Sequence, residues 1–260
     1  MADRAPTARE LARESVHASI LAAARARLTE EGPSQLSLRA VARDVGLVSS
    51  AVYRYFPSRD DLLTALLIAD YDELGAAVEA ADAAAGPGAG ARWVAVCRAI
   101  RTWSLAHPGD FALLFGSPVP GYAAPRETVE PASRTTLTIV RVVADAQGAA
   151  AAASSASSAS ASASSASSSA GRRGSPVPPT AAPGAVGAAI ADGVASLDAF
   201  GLDLPEEVLL RTLMAWTTVF GVISFELFGH YVGSVSDGAA YFDEVIARLA
   251  DDLGFAAEFG

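Results

Sequence analysis

Apolar residues recur along this chain at spacings of three and four, and the strict alternation of a half-buried strand is missing, so the pattern predicts an all-α protein. The first stripe, Ile20, Ala24 and Leu28, belongs to a helix that starts near Thr7 or Glu14 and stops at Glu31, where Gly32-Pro33 cannot continue it. A second helix takes Ser37 as its cap and sets Leu38, Val41, Ala42 and Val45 on one face before Gly46 breaks it. A third, short helix is expected from Ser49 to Phe56, with Val48, Val52 and Phe56 directed inward and Pro57 ending it. Ser58 then caps a fourth helix with Asp60 and Asp61 in its first turn and Leu62, Leu63, Leu66 and Leu67 as its buried stripe.

Beyond "AAAGPGAGA" a second helical region begins, with helices expected near 91–106, 109–116, 127–148, 184–199, 206–229 and 238–253. Residues 149–170 are alanine and serine only, and "GRRGSPVPPTAAPG" follows them. Nothing there can anchor a core, so 149–183 reads as a low-complexity, mobile insertion, part of which alanine allows to extend the preceding helix. The very apolar "RTLMAWTTVFGVISFELF" raises the question of a membrane span. Its uncharged run, Thr212 to Phe225, is 14 residues, short of the roughly 20 that a spanning helix needs, so a buried bundle or interface helix is expected and no membrane partner.

Composition changes this picture in three places. With 260 residues, 51% of them hydrophobic, the chain can bury a sizeable core. Its single cysteine, Cys97, cannot form an internal disulfide, and the charged start "MADRAPTARELARE" is unlike a signal peptide, which together point to the cytoplasm. The net charge of -10 argues against nucleic acid until its distribution is considered. Residues 1–59 carry nine arginines against six acids, a formal +3 that leaves -13 for the rest. An acidic body with a mildly basic head suits a DNA reader whose head alone meets phosphate.

Two short helices joined by a glycine turn and braced by a long first helix form a unit of helix-turn-helix type. With the valine-phenylalanine side of the third helix inward, Ser49, Ser50, Tyr53 and Arg54 point outward, and all four can donate hydrogen bonds to phosphates or base edges. The stretch "LSLRAVARDVGLVSSAVYRYFPSRDDLL" (36–63) resembles the DNA-binding head of the tetracycline-repressor (TetR/AcrR) family of regulators, with its capped helix, Gly-centred turn, and short recognition helix ending in Tyr-x-Tyr-Phe ahead of a basic residue. The resemblance covers roughly residues 14–70. It implies that Ser37 offers its hydroxyl and backbone N–H to a phosphate, that Ser49, Ser50 and Arg54 face the major groove, that Tyr53 and Tyr55 bond the DNA backbone, and that Arg59 stands where the family has a phosphate-binding lysine. Two positions depart from the family pattern: Val48 replaces the usual Ser or Thr cap, and Tyr55 replaces the commoner histidine. Structural alternatives stay open. Tyr55 can pack between helices, Ser37 is a helix cap first, Arg59 can pair with Asp60 or Asp61, and Arg39 and Arg43 can be solvated helix residues rather than phosphate contacts. Arg9 and Arg13, ahead of the first helix core, can form a basic arm.

The same resemblance divides the chain into a head, 1–57, and a C-terminal ligand-binding and dimerisation domain, 58–260. The "HPGDFALLFG" run is similar to an actinobacterial-type subgroup of the family, and Trp103, Phe111, Phe115, Trp216 and Phe220 are candidates to line an apolar effector cavity, or else to fill a solid core. Helices near 206–229 and 238–253 are the expected homodimer interface, where Gly221 and Gly229 let backbones approach. The implied function is a ligand-responsive regulator, by family habit a repressor, that binds a palindromic double-stranded DNA operator as a dimer and is released by a small, largely apolar effector. Catalysis is not expected: His17, His107 and His230 are scattered, Cys97 has no sequence-local base, and no phosphate loop or metal spacing appears, so neither cofactor nor metal is called for. The competing class is a protein–protein adaptor that keeps the three-helix head without DNA binding.

Overall fold

The computed structural model describes residues 7–161, 190–193, 202 and 204–260, and within them every regular element is helical. In chain order these are α1 (Ala8–Glu31), α2 (Leu38–Asp44), α3 (Ser49–Val52), α4 (Arg59–Ala84), α5 (Ala89–Ala106), α6 (Pro108–Phe115), α7 (Val129–Ala161), α8 (Glu206–Leu227) and α9 (Gly238–Asp252). Short 3-10 turns at Pro33–Gln35 and Arg126–Thr128 lead into α2 and α7. The helix expected at 184–199, and most of the insertion after Ala161, lie outside the described residues apart from Ile190–Gly193.

Local signals explain most of these boundaries. Thr7 and Glu10 form a reciprocal capping box at the start of α1, and Gly32, at φ 79°, closes it. Between α2 and α3, Gly46 takes φ 69° while the Leu47 amide bonds the Ala42 carbonyl at 2.9 Å and the Gly46 amide bonds Arg43 at 3.1 Å, the double bond of a left-handed helix end. The Ser58 hydroxyl accepts from the Asp61 amide and caps α4. α7 is longer than the periodicity predicts, continuing through the alanine-serine tract as far as Ala161.

Two cores result. The head core gathers Ile20, Ala24 and Leu28 of α1, Leu38, Val41 and Ala42 of α2, Val52 and Phe56, and Leu62, Leu63, Leu66 and Leu67 from the first turns of α4. The body core gathers Leu74 and Val78 further along α4 with Trp93, Val96, Cys97 and Ile100 of α5, Ile139 and Val143 of α7, Val219 and Ile223 of α8, and Phe242 and Ile246 of α9. Cys97 is fully enclosed there, and burial pushes its thiol pKa up. Trp93 donates its indole N–H to the Ile246 carbonyl at 2.8 Å, tying α5 to α9. α8 passes the length and composition test for a membrane span. It is nonetheless packed into this bundle through Leu209, Ala215, Val219 and Ile223, with Glu226 near its end gripped by Nε and Nη2 of Arg101.

α4 serves both cores, and α6 lies where they meet, contributing Leu113 to the head side and Phe111 to the body side. α6 sits hard against α1: a Cβ on Gly109 would stand 2.5 Å from the Thr29 amide nitrogen and 2.7 Å from its Cα. Backbone cannot yield as a flexible side chain can. Gly109→Ala is therefore expected to lower stability by about 1–3 kcal/mol, read as a lower midpoint in urea unfolding.

Candidate nucleic-acid interface

The roll of α3 is set by what it buries. Val52 is fully enclosed and Phe56 is 3% exposed, with the Phe56 ring 4.9 Å from that of His17 on α1. Ser50, Tyr53 and Arg54 are thereby exposed and Ser49 is half-buried, so the outward face is where the periodicity placed it. Three details differ from expectation. Regular helix ends at Val52, and Tyr53 to Phe56 continue as tight turns in which Arg54 and Tyr55 bond the carbonyls three residues back. Val48 does not point inward. It is extended, at φ -67° and ψ 142°, and 71% exposed, because it precedes the helix and the four-residue period does not reach it; no side chain caps the amides it introduces. Ser37 occupies the N-cap of α2, yet its hydroxyl makes no capping bond and the residue is exposed.

Two surface hollows flank α3. On one side Ser37, Arg39, Tyr53, Ser58 and Arg59 share a groove with Leu36, Leu38 and Pro57. On the other, Arg54 and Tyr55 face Arg9, Arg13 and Val16 across the start of α1. Tyr55 is half-buried against the head core, so its ring packs while one edge borders the second hollow. Arg59 does not pair with Asp60 or Asp61. Its guanidinium donates to the carbonyls of Leu36 at 3.0 Å, Pro33 at 2.9 Å and Ser34 at 3.1 Å, pinning the α1–α2 connection to α4.

Charge pairing sharpens the picture that the net charge blurred. Arg27 grips Asp44 through two nitrogens and Glu31 through a third, which holds the Asp44 carboxyl below its ordinary range. Arg25 meets Asp70 and Glu73. By contrast Arg9, Arg13, Arg39, Arg43 and Arg54 have no ion-pair partner among the described residues, while in the body Arg92, Arg98, Arg101, Arg134, Arg211 and Arg248 are paired with acids and, of the described body arginines, Arg126 and Arg141 are not. Unpaired positive charge thus concentrates around α3. Arg9 and Arg13 belong to this face as fully as Arg39 does, which spacing alone did not establish.

The five aromatic candidates of the second region are mostly core. Phe111 is fully buried, Trp103 is 5% and Phe220 7% exposed, while Phe115 and Trp216 are half-buried. Four of them stack in sequence, Trp216 to Phe220 at 5.3 Å, Phe220 to Phe115 at 4.4 Å and Phe115 to Phe111 at 5.2 Å between ring centroids. Trp103 stands apart from that run, with its ring centroid 4.9 Å from that of His107 and its indole N–H buried without a hydrogen-bond partner.

A braced three-helix head with an outward donor-bearing helix, fused through a shared helix to an all-helical body, defines a helix-turn-helix transcriptional regulator. Residues 20–66 match the sequence profile of bacterial regulatory proteins of the tetR family, and residues 93–249 match that of the tetracyclin repressor-like C-terminal domain. The HTH-type transcriptional regulator Rv1816 of Mycobacterium tuberculosis and its counterpart Mb1846 of Mycobacterium bovis are each 36% identical over 267 aligned positions, covering 92% of this chain and 94% of theirs. Among solved structures, SCO4313 superposes with a TM-score of 0.66 at 29% identity, covering 94% of this chain and all of that one. A tetR-family regulatory protein from Rhodococcus RHA1 (TM-score 0.55, 15% identity, 92% of this chain and 97% of that one) shares the fold. The chain belongs to the TetR family of DNA-binding transcriptional regulators.

Arg59 and Arg54 separate scaffold from surface. Arg59→Ala removes three bonds to carbonyls and is expected to cost about 1–3 kcal/mol of stability, whereas Arg54→Ala stays within about 0.5 kcal/mol of the parent. Urea unfolding followed by circular dichroism measures both.

Proposed function

We propose that this regulator is a dimeric repressor that reads an inverted-repeat operator through α3 and leaves it when a small, largely apolar effector binds the body. The observation that carries the reading is the face around α3: Ser50, Tyr53 and Arg54 outward, with Ser37 and Arg39 in one flanking hollow and Arg9 and Arg13 in the other. Such a layout suits a helix in the major groove whose neighbours grip the phosphates on either side. Ser49 and Ser50 are the base-facing hydroxyls, Arg54 the base-reading guanidinium, and Tyr53 and Tyr55 backbone donors. Arg59 acts by holding the α2 start in place, and its phosphate role is the secondary one. An adaptor that had given up DNA would have no use for four unpaired arginines, Arg9, Arg13, Arg39 and Arg54, around one short helix.

Dimerisation is supported by exposed apolar residues along α8, just beyond it and on α9. Met214, Phe225 and Phe228 of α8 and its end, Val232 beyond it, and Tyr241 of α9 are each 39–88% exposed, an unusual concentration for a surface left in water. Paired across a two-fold axis, α8 and α9 of each copy form a four-helix contact, and the two α3 helices must then stand about 34–36 Å apart to reach half-sites one turn of DNA away. The effector reading rests on the stacked run Trp216, Phe220, Phe115 and Phe111. Because these rings are packed on one another, admitting a ligand parts them, and the ligand favours the parted state by its differential affinity. The buried, unpartnered indole N–H of Trp103 is the polar handle that the same core offers.

The deciding experiment recovers DNA bound by the purified protein from genomic fragments. Enrichment of an inverted repeat supports the reading, and a protein that enriches no repeat sinks it. On the recovered site, Arg39→Ala and Arg13→Ala are each expected to weaken binding across sequences and to reduce the slope of log affinity against log salt by about 1, while Arg54→Ala relaxes the preference at one base position in each half-site. Phe228→Glu is expected to yield monomers in sedimentation and to lose operator binding while keeping the helical spectrum.

A further inference from the structure

Where the head core gives way to the body core along α4, the apolar stripe is interrupted by an acid. Asp70 is fully buried between Leu66 and Leu67 on the head side and Leu74 on the body side. Arg25 of α1 reaches it at 2.5 Å, and the same guanidinium meets Glu73 at 2.8 Å and Asp110 of α6 at 3.8 Å. Asp110 is itself 3% exposed. His107, at the N-cap of α6, approaches Glu73 at 3.4 Å through Nε2, its Nδ1 lying 2.9 Å from the Trp103 carbonyl oxygen. α7 adds nothing to this group, since its Arg134 goes to Asp72 and Glu79 instead. Three carboxyl groups from α4 and α6 therefore surround one guanidinium from the head, and Asp70 Oδ2, Asp110 Oδ1 and Arg25 Nε are buried without a hydrogen-bond partner.

One positive charge cannot balance the two buried carboxylates of Asp70 and Asp110, while Glu73, 40% exposed at the rim, keeps contact with water. One proton on the buried pair can. We propose that this joint is a proton-loaded switch, in which Asp70 keeps its proton while α6 is docked on α1 and α4, and releasing that proton to water drives α6 away from the head. The geometry gives the switch its lever. The acids repel across the α4–α6 contact, and α6 is also the element pressed against the α1 backbone at Gly109.

Burial, reinforced by the nearby Asp110 charge, pushes the Asp70 carboxyl up to about 7, with Arg25 opposing. Burial also raises Asp110. In the unfolded chain Asp70 ionises in the ordinary carboxylate range, so between that range and about pH 7 the folded protein holds a proton that the unfolded one has lost. Stability accordingly falls as pH rises through this window and levels off above it.

The test uses the full chain without DNA, so it is independent of whether the head reads an operator. Between pH 5.5 and 7.5 the parent is expected to lose roughly 4 °C in melting temperature from this site, and hydrogen exchange at the Phe111–Phe115 amides is expected to lose protection relative to the α8 core over the same range. Asp70→Asn should abolish both changes, Asp110→Asn should move them to lower pH, and His107→Gln should leave them in place. Should Asp70→Asn fail to fold, the shift in Asp110→Asn decides. The proposal is overturned if Asp110→Asn melts with the parental pH dependence, if the dependence disappears in His107→Gln, or if α6 keeps its protection while the rest of the chain loses stability.

Discussion

The continuity of α4 is the constraint on which this molecule depends. One 26-residue helix supplies four leucines to the head core with its first turns and Leu74 and Val78 to the body core with its later ones. A rigid rod shared by two cores means neither can shift without the other sensing it. Each fully buried leucine of this kind contributes about 1.5–3 kcal/mol, so both attachments are firm. The changeover between them, around Asp70, is the place where the helix is held by charge rather than by apolar packing. Taking ions out of water costs several kcal/mol apiece unless every partner stays in register. A joint built from Arg25, Asp70, Glu73 and Asp110 is therefore sensitive to small displacements of α6 in a way that a leucine contact is not.

This division of labour is what the effector response proposed above would require. The aromatic run through Phe111, Phe115, Phe220 and Trp216 begins on α6, the same short helix that carries Asp110 and presses Gly109 against α1. Separation of Phe115 from Phe220 would act on α6 at one end, and the charge cluster would transmit the movement to α1 and α4 at the other. α1 in turn braces α3 through the His17–Phe56 contact. Every step in that chain is a packed contact or an ion pair between named side chains, so any reorientation of the reading face has a route that can be interrupted one residue at a time.

Much of this was legible in the sequence, and what was not has physical reasons. The stripes of α1 and α4 and the caps at Thr7 and Ser58 could be read because periodicity and capping are local. Val48 was misplaced because a helical period was extended one residue past the point where the backbone becomes helical. The role of Arg59 could not be read, since its carbonyl acceptors lie 23–26 residues away and face it only once the head has folded. Arg9 and Arg13 were assigned to an arm, and their alignment with Arg54 depends on how far α1 extends toward α3. The buried cluster had a faint signal, an aspartate at a core position of the α4 stripe, but its meaning required Arg25 and Asp110 to converge on it from 45 and 40 residues away in the sequence.

Net charge is the weakest guide to what this protein binds, and the structure explains why. A total of -10 describes a body in which most of the described arginines are cancelled by acids of the body itself. At physiological ionic strength the Debye length is about 8 Å, so acids farther than that from a DNA contact are screened, while guanidinium groups at the contact act at full strength. What decides binding is the charge left unpaired on one face. Around α3 Asp44 is engaged by Arg27 and Asp61 by the Ser58 cap, and Glu10, which shares the hollow of Arg9 and Arg13, is bonded to Thr7 in the cap of α1. The acidic body then has a use of its own. It discourages nonspecific adhesion of the rest of the surface to nucleic acid, so that only the head presents a favourable approach to DNA.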